Sequence, residues 1–262
     1  MDNIILKPHI EEDKGKLDSG LIYRGPANII IPDTHTDTVG HVLYNMASTE
    51  GKIKLLDAYK KALFIIDMNN GFVNFGGMAN PKYNDLVPNQ KKLIEKFRQE
   101  DELVSFILEW HDKSATEFLS YVVHCLQGTK EAELIPEFQP EKDKDNTLIF
   151  YKNSINGMFN RRLQNMIIEL TNLKEVVFAG VCADLCVMDF VRSFARFLTE
   201  INHEAKLFVV KDSIDTFDAP GHDRKEWMDI SLKVMSQAGV EVVENFEHLE
   251  EREKTLGLHR VA

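Results

Sequence analysis

Of the residues in this chain, the cysteine near the end of GVCADLC, Cys186, is the best placed to do covalent chemistry. An apolar run leads into a short turn there, and helical spacing resumes beyond it. The thiol therefore falls in the first turn of a predicted helix, where unpaired N–H groups favour an anion. A thiolate is a strong nucleophile at neutral pH if its surroundings lower its pKa. Lys152 ends the apolar run NTLIFYK and would add a positive field. Asp67 ends ALFIID and could take the thiol proton and return it to a leaving amine. Glu109 and His111 end a further run, ELVSFILEWH. A buried structural thiol is the commoner fate of a cysteine. That reading suits Cys125, inside SYVVHCL, and Cys182 fits either role. One polar residue at a strand end says little, but four at the same edge point to a hydrolytic site.

The elements that must position them alternate along the chain. Apolar runs at 62–67, 102–111, 146–152, 175–181, 205–212 and 240–245 read as strands. Helical spacing appears at 88–100, with proline at its start, at 161–172, after Cys186, and at 226–239. Strands apolar throughout and separated by helices predict a parallel sheet covered on both faces. The expected fold is a doubly wound α/β domain over 61–246, with a mostly parallel six-stranded sheet. Sites in such folds lie outside the carboxyl ends of the strands, where all of these residues fall. Residues 1–60 read as an extension packed on the core or as a dimer contact, and 247–262 as a tail. The extension contains DTHTDTVGH, in which His35, Asp37 and His41 could bind metal, although a polar loop of turn formers is the plainer reading. The glycine-bearing stretch 71–89 either covers a pocket or is a static loop.

Composition narrows the function. The chain has 262 residues, 44% hydrophobic and 28% charged, as expected for a globular protein. A formal charge of −11 opposes nucleic acid as a main partner. Basic clusters such as KKLIEKFR lie among acids and read as solvated helix faces. No apolar run approaches the roughly 20 residues that span a bilayer, and the N-terminus lacks the plan of a signal peptide. Three cysteines form no disulfide framework, which suits a reducing, cytoplasmic setting.

Taken together, IIDMNNGFV, EWH, VHCLQGT, YKNSINGMF and GVCADLCV resemble the isochorismatase-like cysteine hydrolases, and within them look most like the nicotinamidases. The resemblance covers about 61–245. It implies a triad of Asp67, Lys152 and Cys186. It also implies a cis peptide before Cys182, and an oxyanion hole formed by the backbone N–H groups of Cys182 and Cys186. A divalent ion is implied at Glu109, His111 and His124, joined by Glu117, with zinc first and iron or manganese as alternatives. The sequence departs from the family's usual pattern in carrying Glu109 where an aspartate is usual. The segment EWHDKSATEF also lacks the proline and second histidine usual after that motif. Phe72 and Tyr121 match pocket aromatics, and Asn69 is a candidate polar orienter. The implied reaction is hydrolysis of nicotinamide to nicotinate and ammonia through a thioester. The alternatives are hydrolysis of another amide or carbamoyl group, and a non-catalytic homologue. The partners implied are a small-molecule amide and a second copy of the chain in a homo-oligomer, without nucleic acid or membrane.

Overall fold

A computed structural model describes residues 56–258 and, ahead of them, three strand segments. These are β1 (Tyr23–Arg24), β2 (Asn28–Ile31) and β3 (Val42–Asn45). His35, Asp37 and His41 lie outside the described residues. Six further strands follow: β4 (Lys61–Ile66), β5 (Leu103–Glu109), β6 (Thr147–Lys152), β7 (Glu175–Val181), β8 (Lys206–Asp215) and β9 (Glu241–Val243). These six are mutually parallel, in the order β6-β5-β4-β7-β8-β9. The chain order therefore reverses between β4 and β7, which makes that crevice the topological switch point of a doubly wound sheet. β1, β2 and β3 add antiparallel strands beyond β6, giving nine in all.

Alternation along the strands divides the core in two. In β4, Ala62, Phe64 and Ile66 enter one cluster, while Leu63 and Ile65 enter the other. On the first face lie α3 (Arg161–Glu169), α4 (Met188–Glu200) and α5 (Arg224–Gln237). Phe64, Phe178, Phe190 and Phe194 pack there with centroids 5.3–6.0 Å apart. α2 (Val87–Gln99) covers the second face, and α1 (Asn70–Val73) is a single turn after β4. The C-terminal segment is not a loose tail. Residues Phe246–Leu256 form α6, capped by the Asn245 side chain and ended by left-handed Gly257. Leu249 and Glu253 on α6 are fully buried, a helical spacing masked by the charges around them. Lys96 likewise corrects the reading of KKLIEKFR as a solvated face. It is buried, and it pairs with Glu100 and Glu253. Among the described residues no helix is long and apolar enough to cross a membrane.

Candidate active site

Three strand ends and one turn bring the predicted residues together. Asp67 follows β4 in a left-handed conformation (φ 53°), a turn that aspartate tolerates better than most residues. Its N–H donates to the Ile107 carbonyl at 2.8 Å. Glu109 and Lys152 end β5 and β6 and face each other in register. At the switch point β7 approaches β4 so closely that a Cβ on Gly180 (φ 124°) would sit 2.0 Å from the Ile66 carbonyl oxygen. Only glycine fits there. Val181–Cys182 is a cis peptide, and Ala183–Val187 then form a turn of π-helix before α4. Cys186 sits in that turn. The sequence predicted an ordinary first helical turn; a π-bulge leaves no mark in apolar spacing.

Lys152 Nζ lies 3.7 Å from Cys186 Sγ, 2.5 Å from Glu109 Oε1 and 2.8 Å from Asp67 Oδ2. Oxygens of Asp67 and Glu109 and the sulfur of Cys186 all lie within 4.8 Å of one another. All four side chains are buried. Burial pushes the Asp67 carboxyl up to about 7, against the opposing pull of Lys152. Burial would also raise Glu109. There, Lys152 together with the neighbouring imidazoles of His111 and His124 outweighs burial and holds the carboxyl well below the usual range. The thiol corrects the expectation of a standing thiolate. Burial drives the Cys186 pKa well above its ordinary value despite Lys152, and Asp67 and Glu109 push the same way. One ammonium is shared with two carboxylates, so Lys152 does not by itself bring the thiol pKa down.

Beside this group lies the predicted ligand set. His111 N–H donates to Cys125 O (2.9 Å), and Gln127 N–H donates to His111 O (3.0 Å), which fixes the segment carrying His124 against the end of β5. Glu109 Oε2 lies 2.8 Å from His111 Nε2 and 2.7 Å from His124 Nε2, and the two nitrogens are 3.2 Å apart. Glu117 Oε1 is 3.7 Å from His111 Nε2, while its Oε2 accepts from the Ile155 N–H. The other ring nitrogens define the donor set. Asp112 N–H donates to Asn153 Oδ1 (2.9 Å), so His111 Nδ1 must be the donor to that same oxygen at 3.3 Å. His124 Nδ1 donates to the Val122 carbonyl at 2.8 Å. With both Nδ1 atoms protonated, both Nε2 atoms turn lone pairs toward a carboxylate oxygen. Such convergence is repulsive until a proton or a metal ion stands among them, and two imidazoles with two carboxylates suit a divalent ion. Burial lowers the pKa of His124, but the bond and charge of Glu109, the Val122 carbonyl and Glu117 together raise it.

A cavity of about 580 Å³ opens onto both groups and is lined by Cys182, Cys186, Glu109, Glu117 and His124, while His111 is wholly buried behind it. Phe72 and Tyr121 line the cavity as well, and Phe72 packs 5.4 Å from the His124 ring. Asn69 is a correction, because it is fully buried and never reaches the cavity. Its amide accepts from the Glu109 N–H and donates to the carbonyls of Glu109 and Ala132, so it clamps the end of β5 instead. The stretch 71–89 forms part of the wall through Gly77, Met78 and Tyr83, whose hydroxyl lies 3.3 Å from Cys182 Sγ. Burial pushes the Cys182 thiol up to about 12. Cys125 is a buried thiol donating to the Glu131 carbonyl at 3.5 Å.

The opposite wall carries residues that sequence reasoning missed. Asp184, two positions before Cys186, accepts from Thr216 Oγ1 and from His222 Nε2 (2.8 Å). His222 stacks between Phe217 and Trp227, with centroids 3.9 and 5.1 Å away. That latch carries Phe217 and Arg224 to the cavity. TFDAPGHDR reads only as a run of turn formers, and nothing in its spacing signals the approach.

The Isochorismatase domain profile matches residues 61–245. Nicotinamidase 1 of Arabidopsis thaliana is 31% identical over 182 residues, covering 63% of this chain and 72% of that protein. Two solved structures share the fold. N-carbamoylsarcosine amidase of Thermoplasma acidophilum is 26% identical with a TM-score of 0.56, covering 70% of this chain and 95% of its own. Pyrazinamidase of Pyrococcus horikoshii, in complex with zinc, is 21% identical with a TM-score of 0.58, covering 71% and 99%.

Proposed function

The chain belongs to the Isochorismatase family and is a hydrolase of amide C–N bonds, and from that premise we propose that its substrate is nicotinamide, cleaved to nicotinate and ammonia. One observation carries the reading. A single cavity presents Cys186, flanked by Lys152 and Asp67, across from a converging set of two imidazoles and two carboxylates. The likeness to Nicotinamidase 1 supports the choice of amide.

Glu109, His111, His124 and Glu117 would hold a divalent ion, zinc by likeness to the pyrazinamidase complex. When bound, it supplies a Lewis-acid anchor for the pyridine nitrogen, and Phe72 and Tyr121 pack the ring. In the reaction Asp67 accepts the Cys186 proton and the sulfur attacks the carboxamide carbon. The backbone N–H groups of Cys182 and Cys186 stabilise the oxyanion that forms. The C–N bond then breaks, and ammonia leaves with the proton held by Asp67, giving a thioester. Asp67 next takes a proton from water, the resulting hydroxide adds to the thioester, and the C–S bond breaks. Asp67 returns its proton to the sulfur, and the product leaves as nicotinic acid, which ionises to nicotinate. An Asp67 pKa near 7 suits a group that must accept and return a proton in each half-reaction.

The test is elemental analysis of the purified protein beside an ammonia assay with nicotinamide. We expect about one divalent ion per chain and release of one ammonia per nicotinate formed. Stoichiometric metal without ammonia from nicotinamide would leave the fold's chemistry intact and remove the substrate. A second reading, hydrolysis of a carbamoyl group, is favoured by the likeness to N-carbamoylsarcosine amidase and by a cavity roomier than one ring needs. Ammonia released from N-carbamoyl amino acids and not from nicotinamide would select it. The free cysteines are in keeping with a cytoplasmic setting.

A further inference from the structure

Glu109 is the side chain common to both halves of the site. Its Oε2 faces His111 and His124, and its Oε1 takes a hydrogen bond from Lys152. The lysine contacts are unequal. Nζ donates along a hydrogen-bond direction to Glu109 Oε1 and to Cys186 Sγ. Asp67 Oδ2 lies 2.8 Å from the same Nζ as an ion pair. The ammonium is therefore shared by two carboxylates, of which Glu109 is the nearer.

We propose that Glu109 is a positioning residue that ties the ligand cluster to the nucleophile. One oxygen faces the imidazoles, and the other, nearer to Lys152 than Asp67 is, holds the ammonium against Cys186. The inference rests on the hydrolase reading above and deepens it. Three features of the chain support it. Glu109 and Lys152 are register partners on adjacent parallel strands, so their side chains leave the sheet side by side. Asn69 grips the Glu109 backbone at both N–H and C=O, which leaves the length of the side chain to decide its reach. Finally, the residue is a glutamate. From a clamped backbone, an arm one methylene shorter cannot place one oxygen 2.5 Å from Nζ and the other within 2.8 Å of two imidazole nitrogens. A bridging carboxylate also makes metal occupancy and lysine position thermodynamically linked, whichever is perturbed first.

The experiment reads the thiol without any substrate. Metal-stripped wild type, Glu109→Asp, Glu109→Gln and Glu109→Ala proteins are treated with iodoacetamide, and carboxamidomethylation of Cys186 is followed by peptide mass spectrometry. The amide oxygen of Glu109→Gln still accepts from Lys152, and the charge that raises the thiol pKa is gone, so its alkylation rate should equal or exceed that of wild type. Glu109→Asp and Glu109→Ala leave the ammonium to Asp67 alone, and their rates should fall about tenfold below that of Glu109→Gln. A second readout is reciprocal. Lys152→Met should change the Co²⁺ dissociation constant at least fivefold and shift the visible Co²⁺ spectrum. Four equal alkylation rates, or an equal fall in all three variants, would overturn the proposal, as would a Co²⁺ affinity indifferent to Lys152. Since no nicotinamide enters either measurement, failure here leaves the substrate assignment untouched, and failure of that assignment leaves this result standing.

Discussion

The sheet carries a buried ionic cluster at each end, and the two differ in one decisive respect. At the carboxyl edge Lys152, Asp67, Glu109 and Cys186 meet beneath a cavity. At the amino edge Lys61 meets Glu100 at 2.9 Å, Glu253 at 3.0 Å and Glu175 at 3.5 Å, and Lys96 joins Glu253 at 2.8 Å. Both clusters shift the pKa values of their members strongly, so perturbed titration alone does not mark an active site. None of these amino-edge groups lines a described cavity, and each carboxylate lies beside an ammonium or another carboxyl. There the charges dock α6 and α2 against the ends of β4 and β7. Carboxylate oxygens without a hydrogen bond occur at both edges, on Asp67 as on Glu175 and Glu253, but only at the carboxyl edge does a nucleophile, Cys186, line a cavity beside them. A nucleophile next to open volume is what separates the machine from the anchor.

Substitutions should break the two clusters in different currencies. Cys186→Ala should reduce ammonia release by about a thousandfold or more while leaving the thermal midpoint nearly unchanged. Ammonia release persisting in that variant would remove the nucleophile. Glu253→Ala should do the reverse. It leaves two buried ammonium groups underpaired, a loss of about 3–5 kcal/mol by analogy with broken buried ion pairs. In a domain of this size that corresponds to a fall of very roughly 6–20 °C in the midpoint. Activity per folded molecule should hold, because Glu253 touches nothing in the cavity. A Glu253→Ala protein that unfolds at the wild-type temperature would show that the amino-edge cluster anchors nothing.

How far the sequence discloses each cluster follows from physical range. The carboxyl-edge residues sit on strand ends announced by apolar runs, and a doubly wound sheet sends every such end to one edge. Asp67, Glu109, Lys152 and Cys186 were therefore legible, with strand limits that moved by at most three residues. Three things were not. The thiol's resting state depends on the balance of one ammonium against two carboxylates, which requires distances. Asn69 and Glu109 are near neighbours of the same site, yet only hydrogen-bond geometry separates a backbone clamp from a pocket residue. The amino-edge cluster was hidden because Lys96 and Glu253 lie in helices whose charges look solvated, and their burial is decided by where α6 lands.

The smallest effect sharpens the comparison most. Burial and the neighbouring Glu253 push the Glu175 carboxyl up to about 9, although Lys61 opposes them. Its unfolded value is the ordinary 4.5. The folded state thus holds a proton on Glu175 that the unfolded chain releases above that value. This stabilising contribution is complete below about pH 4.5 and is lost progressively as pH rises toward 9. Glu253 shifts the opposite way, so its own contribution is lost only below that window. Glu175→Gln keeps the neutral shape and removes the titration. Its midpoint should change less than that of wild type between pH 5 and 9, with the variant gaining relative stability toward pH 9. Melting curves across that range, followed by circular dichroism, read the difference directly. Parallel pH dependences for the two proteins would mean that Glu175 is ionised in the fold, and that the amino edge carries a net charge which its lysines alone must balance.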